Sequence, residues 1–249
     1  MLSQLGNDIH IKSASINSNP TLDLVKSLTV HPFNQIDQVC RSIKSDPAFA
    51  NGYNAVGLSQ GGLLARGLAQ ICPQPPMINL LSFAGPQQGV YKYPRCEKRF
   101  GFVCGTIDWA IKNIAYFGLL QKTVAPLTYW HEPNEAKYRS KSTFLATINN
   151  EVSYNENYVN NLSNLKRIVL VKYFGDGAIV PRSSSWFGYF DISGAEHEIE
   201  ETSVYKNDRL GLKNLTSQGK ITFLEAPGDH LHLDPNWFIV NIISYLKEE

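Results

Sequence analysis

The sequence has no long apolar run, no excess of one charge and no metal-binding cysteine motif. A membrane-spanning helix needs roughly eighteen uninterrupted apolar residues, so no transmembrane segment is expected. The formal net charge of +1 offers no electrostatic basis for binding nucleic acid. No Cys-x-x-Cys pair or zinc-spaced cluster occurs, so we expect no metal and no other cofactor. The first residues, MLSQLGNDIHIKS, also lack the basic and apolar regions of a signal peptide.

What the chain does have is enough apolar material for one large core. Of its 249 residues 43% are hydrophobic and 18% charged, which predicts a single domain over residues 1–249. The four cysteines are consistent with two disulfides in an oxidising compartment or with four buried thiols in the cytosol. Asn161 and Asn214 begin Asn-x-Ser/Thr sequons, a weak indication of secretion.

Short apolar segments alternate with helical patterns along the chain. We predict strands at residues 9–13, 53–57, 77–84, 168–174 and 221–226. Residues 36–43 and 63–71 read as amphipathic helices, and a last helix begins with Asp234 as N-cap and Pro235 at its first position. Because the strands are nearly all apolar and are separated by helices, the expected fold is α/β, with a mainly parallel sheet covered by helices on both faces.

About eighty residues, 86–165, separate two of these strands. They carry 13 of the 28 aromatic residues, and residues 107–120 read as an amphipathic helix. A segment this long and this apolar is neither a simple crossover nor a loop, so we predict an inserted, mostly helical subdomain. Most of its aromatics should pack a small core of its own, and some should line an apolar groove over the active site.

The stretch YNAVGLSQGG contains the pentapeptide Gly57-Leu58-Ser59-Gln60-Gly61. G-x-S-x-G alone is a weak signal, but here it lies between an apolar strand and a helix. This is the context of a nucleophile elbow, a strained turn in which only small neighbours fit. We therefore expect Ser59 to be a nucleophile, with Gly57 and Gly61 permitting close backbone approach.

A serine nucleophile needs a base and an acid, which in such sheets follow later in the chain. Asp176 comes directly after the strand IVLVKYF, and His230 after the strand ITFLEA. The order Ser59, Asp176, His230 predicts a Ser-His-Asp triad with an acyl-enzyme intermediate. His232 is a rival for the base, and Asp229 and Asp191 are less well placed rivals for the acid. The backbone N–H of Gln60 is the expected oxyanion donor.

These motifs resemble the palmitoyl-protein thioesterases, lysosomal α/β-hydrolases that remove fatty acyl groups from cysteines. The resemblance runs from about Cys40 to the C-terminus, through YNAVGLSQGG, CPQPPMINLLSFAGPQQGV, YWHEP, LVKYFGDGAIVP and GDHLHL. It implies the same triad, an acyl-binding role for the insert, and disulfides Cys40–Cys72 and Cys96–Cys104. It also implies S-palmitoylated proteins or other fatty-acyl thioesters as substrates, and a lysosomal or secreted location.

The resemblance is incomplete before Ser59. Members of the family have a His-Gly-x-Gly-type loop there that supplies the second oxyanion donor, and this sequence has no such loop. Two alternatives therefore accompany the prediction of a thioesterase. One is a lipase or carboxylesterase, because the triad suits oxygen esters equally well. The other is an inactive form that lacks the oxyanion strand.

Overall fold

The computed structural model describes residues 9–92 and 114–247. Within these residues the main sheet has four parallel strands. In sheet order they are β1 (Tyr53–Leu58), β2 (Met77–Phe83), β3 (Arg167–Tyr173) and β6 (Ile221–Ala226). A separate antiparallel hairpin pairs β4 (Tyr189–Phe190) with β5 (Glu196–His197). Four of the five predicted strands thus lie in one parallel sheet, as expected.

Helices connect the strands. In the described part of the chain, the helices before β3 are α1 (Pro20–Thr29), α2 (Pro32–Lys44), α3 (Gln60–Ile71), α4 (Gly118–Thr123), α5 (Glu135–Lys141), α6 (Leu145–Ile148) and α7 (Glu156–Ser163). Those after it are α8 (Ser203–Lys206), α9 (Leu212–Ser217), α10 (Pro235–Asn241) and α11 (Ile243–Lys247). Asp234 caps α10 by accepting a hydrogen bond from Trp237 N at 2.7 Å, which confirms the predicted start of the last helix. That helix is interrupted at Ile242 and continues as α11.

The sheet is covered on both faces, as predicted. Leu80 and Leu81 are adjacent on β2 and both fully buried, yet they belong to two different core clusters because successive side chains of a strand point to opposite faces. Leu80 packs in the cluster that contains residues of α2, α3 and α7. Leu81 packs in the cluster that contains Phe238 and Ile242 near the C-terminus. Each such buried side chain contributes about 1.5–3 kcal/mol to stability.

Two of the aromatic residues between β2 and β3 pack in the main core of the domain. Tyr138 and Phe144 are fully buried, but in the same cluster as α2 and α3 rather than in a core of their own. The Phe144 ring contacts the Phe33 ring edge-on, with 5.0 Å between centroids. The described part of this segment is therefore fastened to the body of the domain. By contrast, Phe117 is 63% exposed.

The structure bears on two further predictions of secondary structure, one strand and one helix. The strand expected at residues 9–13 is wrong: this segment has no regular structure and is held by side chains, with Lys12 Nζ 2.9 Å and His10 Nε2 3.2 Å from Asp46 Oδ2. The helix expected at residues 107–120 lies mostly outside the described residues. Its described part is not continuous, because a turn at residues 115–116 comes before α4.

A disulfide joins Cys40 on α2 to Cys72, the residue that ends α3. It links two helices that pack against each other, and it is the pairing that the resemblance implied. Cys96 and Cys104 lie outside the described residues. Within residues 9–92 and 114–247, no helix is both long enough and apolar enough to cross a bilayer.

Candidate active site

Three polar residues follow three parallel strands at the same edge of the sheet. Ser59 comes directly after β1, Asp176 three residues after β3 and His230 four residues after β6. The loops that carry Asp176 and His230 are joined to each other, since Gly175 N donates to Gly228 O at 2.8 Å and Gly177 N donates to Asp229 Oδ1 at 3.1 Å. Parallel strands place their carboxyl ends together, so residues far apart in sequence meet here.

Ser59 has a strained backbone. Its φ of 52° and ψ of −125° lie outside the regions that a residue with a side chain ordinarily adopts. This backbone conformation is stabilised by hydrogen bonds from Ser59 N to Phe83 O at 2.8 Å and from Gly62 N to Ser59 O at 2.9 Å. A serine in the N-cap position normally caps its helix, but the Ser59 side chain makes no capping bond. Its hydroxyl is thus left for another partner.

That partner is His230. The Nε2 atom of His230 lies 3.0 Å from Ser59 Oγ, and its Nδ1 atom lies 2.9 Å and 3.1 Å from the two carboxylate oxygens of Asp176. With Nδ1–H donating to the carboxylate, Nε2 is free to accept the hydroxyl proton. This is a hydrogen-bonded chain from a strained serine through a histidine to a carboxylate, the arrangement that activates serine for attack on an acyl carbon.

The Asp176 carboxylate is fixed independently of His230. Its side chain is almost fully buried, and Oδ1 accepts hydrogen bonds from Ala178 N at 2.8 Å and Ile179 N at 3.0 Å. Burial, together with the negative charge of Asp176, raises the pKa of the neighbouring Tyr173 to about 12. The carboxylate is therefore held in a set orientation before any substrate binds.

The rival residues have other contacts. The ring of His232 packs over Gly228, while Asp229 accepts from the backbone N of His230 at 2.7 Å. Asp191 bonds to His197 at 2.9 Å on the β4–β5 hairpin. The geometry thus favours His230 and Asp176 over these alternatives.

The glycines around Ser59 are not equivalent. A Cβ atom on Gly57 would lie 2.4 Å from Gly61 O and 2.6 Å from the Cα of Gly62, both backbone atoms. A Cβ on Gly62 would lie 2.2 Å from Ser82 Oγ, so this glycine lets α3 begin tight against β2. Among the described residues, nothing lies within 4 Å of a Cβ on Gly61. The expectation that Gly61 itself needs to be small is therefore wrong.

Below the elbow, a buried arginine fixes α3 to its surroundings. Arg66 is 2% exposed, and its hydrogen bonds to the described residues all go to neutral acceptors. Nε donates to Gln87 Oε1 at 2.6 Å, Nη1 to Gln70 Oε1 at 2.9 Å, and Nη2 to Asn149 Oδ1 at 2.7 Å. Gln87 follows β2 and Asn149 follows α6, so Arg66 ties both segments to α3, the helix that begins directly after Ser59.

Comparison with known proteins shows to which family the chain belongs. The family model described as palmitoyl protein thioesterase matches residues 1–230. The chain belongs to the palmitoyl protein thioesterase family. It is 40% identical over 239 residues to palmitoyl-protein thioesterase 1 of Caenorhabditis elegans, a match that spans 95% of this chain and 80% of that relative. The parallel sheet, with helices on both faces, is the α/β architecture predicted from the sequence.

Two further relatives match less of the chain. Palmitoyl-protein thioesterase 3 of Dictyostelium discoideum is 34% identical over 79% of this chain and 68% of its own length. The lysosomal thioesterase PPT2 of Rattus norvegicus is 30% identical over 68% of this chain and 56% of its own length.

The sequence predicts the three residues of the Ser59–His230–Asp176 hydrogen-bonded chain. It does not predict the contacts that the side chain of Gln60 makes beside them. Gln60 Nε2 donates to Ser27 O on α1 at 2.8 Å, and its Oε1 accepts from the hydroxyl of Tyr129 at 3.1 Å. The start signal of α1 was available in the sequence, because Asn19 caps the helix and Pro20 occupies its first position.

Proposed function

We propose that this protein is a serine hydrolase that cleaves long-chain fatty-acyl thioesters from cysteines of S-acylated proteins. The observation that carries the proposal is the hydrogen-bonded chain Ser59–His230–Asp176, at 3.0 Å and 2.9 Å, in a member of the palmitoyl protein thioesterase family. The family membership supports the thioester as the bond that is broken.

In the proposed mechanism, His230 Nε2 takes the proton from Ser59 Oγ as the oxygen attacks the thioester carbonyl. Asp176 accepts from Nδ1–H and stabilises the imidazolium that forms. The developing oxyanion receives the backbone N–H of Gln60, which as the first residue of α3 has no acceptor within the helix. Collapse of this intermediate breaks the carbon–sulfur bond, and the imidazolium protonates the leaving thiolate.

The second half of the reaction repeats these roles with water. His230 removes a proton from a water molecule that attacks the acyl-Ser59 ester. The ester bond breaks, Ser59 Oγ regains its proton from His230, and a free fatty acid leaves. We propose that residues 86–165 form the inserted subdomain that binds the acyl chain.

Hydrolysis of a palmitoyl-cysteine peptide by wild type and Ser59→Ala tests this function. We expect turnover by wild type and none above background by Ser59→Ala. A matched oxygen ester, run in parallel, separates a thioesterase from a lipase or carboxylesterase. Absence of thioester turnover in wild type, or equal rates in both proteins, would sink the proposal.

We also propose a lysosomal or secreted location. The relatives named lysosomal thioesterase and the Cys40–Cys72 disulfide, which needs an oxidising compartment to form, support it. Of the two sequons, Asn214 is exposed, whereas Asn161 is half-buried with its amide donating to Gln70 O at 2.7 Å. Treatment with a peptide N-glycosidase should shift the wild type but not Asn214→Gln, and an unshifted wild type would count against the location.

A further inference from the structure

The side chain of Gln60 joins two elements that contact each other, the helix α1 and a 3₁₀ turn. One end of its amide bonds to the backbone of α1, and the other bonds to a tyrosine of the 3₁₀ turn Ala125–Tyr129. Gln60 is also the residue whose backbone N–H is proposed to meet the oxyanion. A side chain that is fixed at both ends restrains the Cα to which that N–H is attached.

The Gln60 side chain thus forms a bridge from α1 to Tyr129, and at the α1 end the acceptor is the backbone carbonyl of Ser27. Ser27 O lies in the last turn of α1, where carbonyl groups have no partner within the helix. It accepts from Gln60 Nε2 at 2.8 Å and from Nε2 of the buried Gln35 at 2.9 Å. Because α1 buries none of its own side chains, these polar bonds at its C-terminal end have a large share in holding it on the domain.

At the other end of the bridge, the hydroxyl of Tyr129 is the hydrogen-bond donor. Tyr129 is partly buried and packs against the main core cluster, and burial raises the pKa of its hydroxyl. The hydroxyl therefore stays protonated and donates to Gln60 Oε1 at 3.1 Å. The amide has one orientation that satisfies both partners, since only Nε2 can donate to the carbonyl of Ser27 and only Oε1 can accept from a phenol.

We propose that Gln60 is a positioning residue whose side-chain bridge, from Ser27 O to the Tyr129 hydroxyl, fixes the direction of its own backbone N–H toward the oxyanion. The inference deepens the proposed function and rests on it. Tyr129 acts through Gln60 and touches neither substrate nor reacting atoms. The bridge makes the strength of oxyanion stabilisation depend on α1 and on the 3₁₀ turn, so both elements are part of the catalytic apparatus although neither contributes a reacting group.

The test removes the tyrosine hydroxyl and compares two tyrosines. In Tyr129→Phe, Gln60 Oε1 loses its donor while the ring remains. We expect kcat for a palmitoyl thioester to fall roughly ten-fold because a loosened donor stabilises the transition state less well, while KM changes by less than about two-fold. Tyr53→Phe is the matched control. It removes a buried hydroxyl at the start of β1, the end of that strand away from Ser59, and it should leave kcat unchanged.

A double-mutant cycle with Gln60→Met separates positioning from simple loss of packing. If Tyr129 acts through Gln60, the double variant is no slower than Gln60→Met alone, since the bridge is already broken. Additive losses in kcat, or a Tyr129→Phe enzyme as fast as wild type, would overturn the proposal. Should Gln60→Met fail to fold, the comparison of Tyr129→Phe with Tyr53→Phe decides alone.

The rate at which a fluorophosphonate probe labels Ser59 provides a second readout, because phosphonylation also places negative charge on an oxygen beside the nucleophile. We expect Tyr129→Phe to slow labelling and Tyr53→Phe to leave it unchanged; equal rates in both would contradict the bridge. This readout does not need a thioester substrate. If wild type labels at Ser59 but turns over no thioester, the proposed function fails while the bridge is still tested.

Discussion

Gly57 and Gly61, the two glycines of the G-x-S-x-G motif, differ in how closely other atoms surround them. Alanine substitutions at the two positions should therefore have different effects. Ordinary contacts of a Cβ atom lie at 3.4–4 Å, and a Cβ on Gly57 would meet Gly61 O at 2.4 Å and Gly61 C at 2.6 Å. The conflict is with backbone, so no side-chain rotation relieves it. Relief requires the N-terminus of α3 to move by about 1 Å from β1, and the elbow moves with it.

We expect Gly57→Ala to lower the free energy of unfolding by about 3 kcal/mol, the upper end of the cost of overpacking. It should also slow labelling of Ser59 by a fluorophosphonate, since a displacement of this size is enough to impair attack. Gly61→Ala is the matched control, because its Cβ meets no described atom within 4 Å. It lies inside α3, where alanine is favoured over glycine by about 0.5–1 kcal/mol, so it should be neutral or stabilising.

Urea denaturation and the labelling rate, measured on both variants and wild type, check this prediction. If Gly57→Ala unfolds at the same urea concentration as Gly61→Ala and labels as fast, the close approach of β1 and α3 at the elbow is incorrect.

Three further predictions concern single side chains. Arg66→Met leaves buried acceptors such as Gln87 Oε1 without their donor, so urea unfolding should show a loss of about 3 kcal/mol; a loss below about 1 kcal/mol would contradict the buried network. Asp176→Asn should lower kcat for the thioester by roughly ten-thousand-fold, because an amide no longer holds the histidine in the required tautomer; a loss of less than ten-fold would argue for a different acid. Hydrogen bonding to Asp191 raises the pKa of His197, so the stability that this pair contributes is full below about pH 6.5 and is lost as the pH rises through the raised pKa. The difference in Tm between wild type and His197→Gln should therefore shrink above that pH, and a difference that grows with pH would reverse the sign of the linkage.

Much of the site could be predicted from the sequence because it depends on strand ends. The continuous apolar runs of β2 and β3 exclude an amphipathic surface element, and parallel strands bring their carboxyl ends together. Once Ser59 is placed after β1, only a few polar residues directly follow another strand, and Asp176 and His230 are among them.

The features that could not be predicted from the sequence depend on contacts that produce no periodic pattern of apolar residues. Helix α1 buries no side chain, so hydrophobic spacing could not reveal it, and it is held by bonds to Ser27 O. Residues 9–13 alternate like a strand but are held by Asp46 instead of a neighbouring strand. The unequal roles of Gly57 and Gly61 follow from the direction in which each Cβ points, which the motif does not record.

The central claim is that the Ser59–His230–Asp176 chain performs hydrolysis through an acyl-enzyme. It is tested most directly by acid-quenching the protein during turnover of a palmitoyl thioester and mapping the acyl group by peptide mass spectrometry. The account predicts one acyl chain on the peptide that contains Ser59, greater accumulation in Asp176→Asn if deacylation is slowed more than acylation, and no adduct in Ser59→Ala. An adduct on a different residue, or an undiminished adduct and turnover in Ser59→Ala, would contradict it.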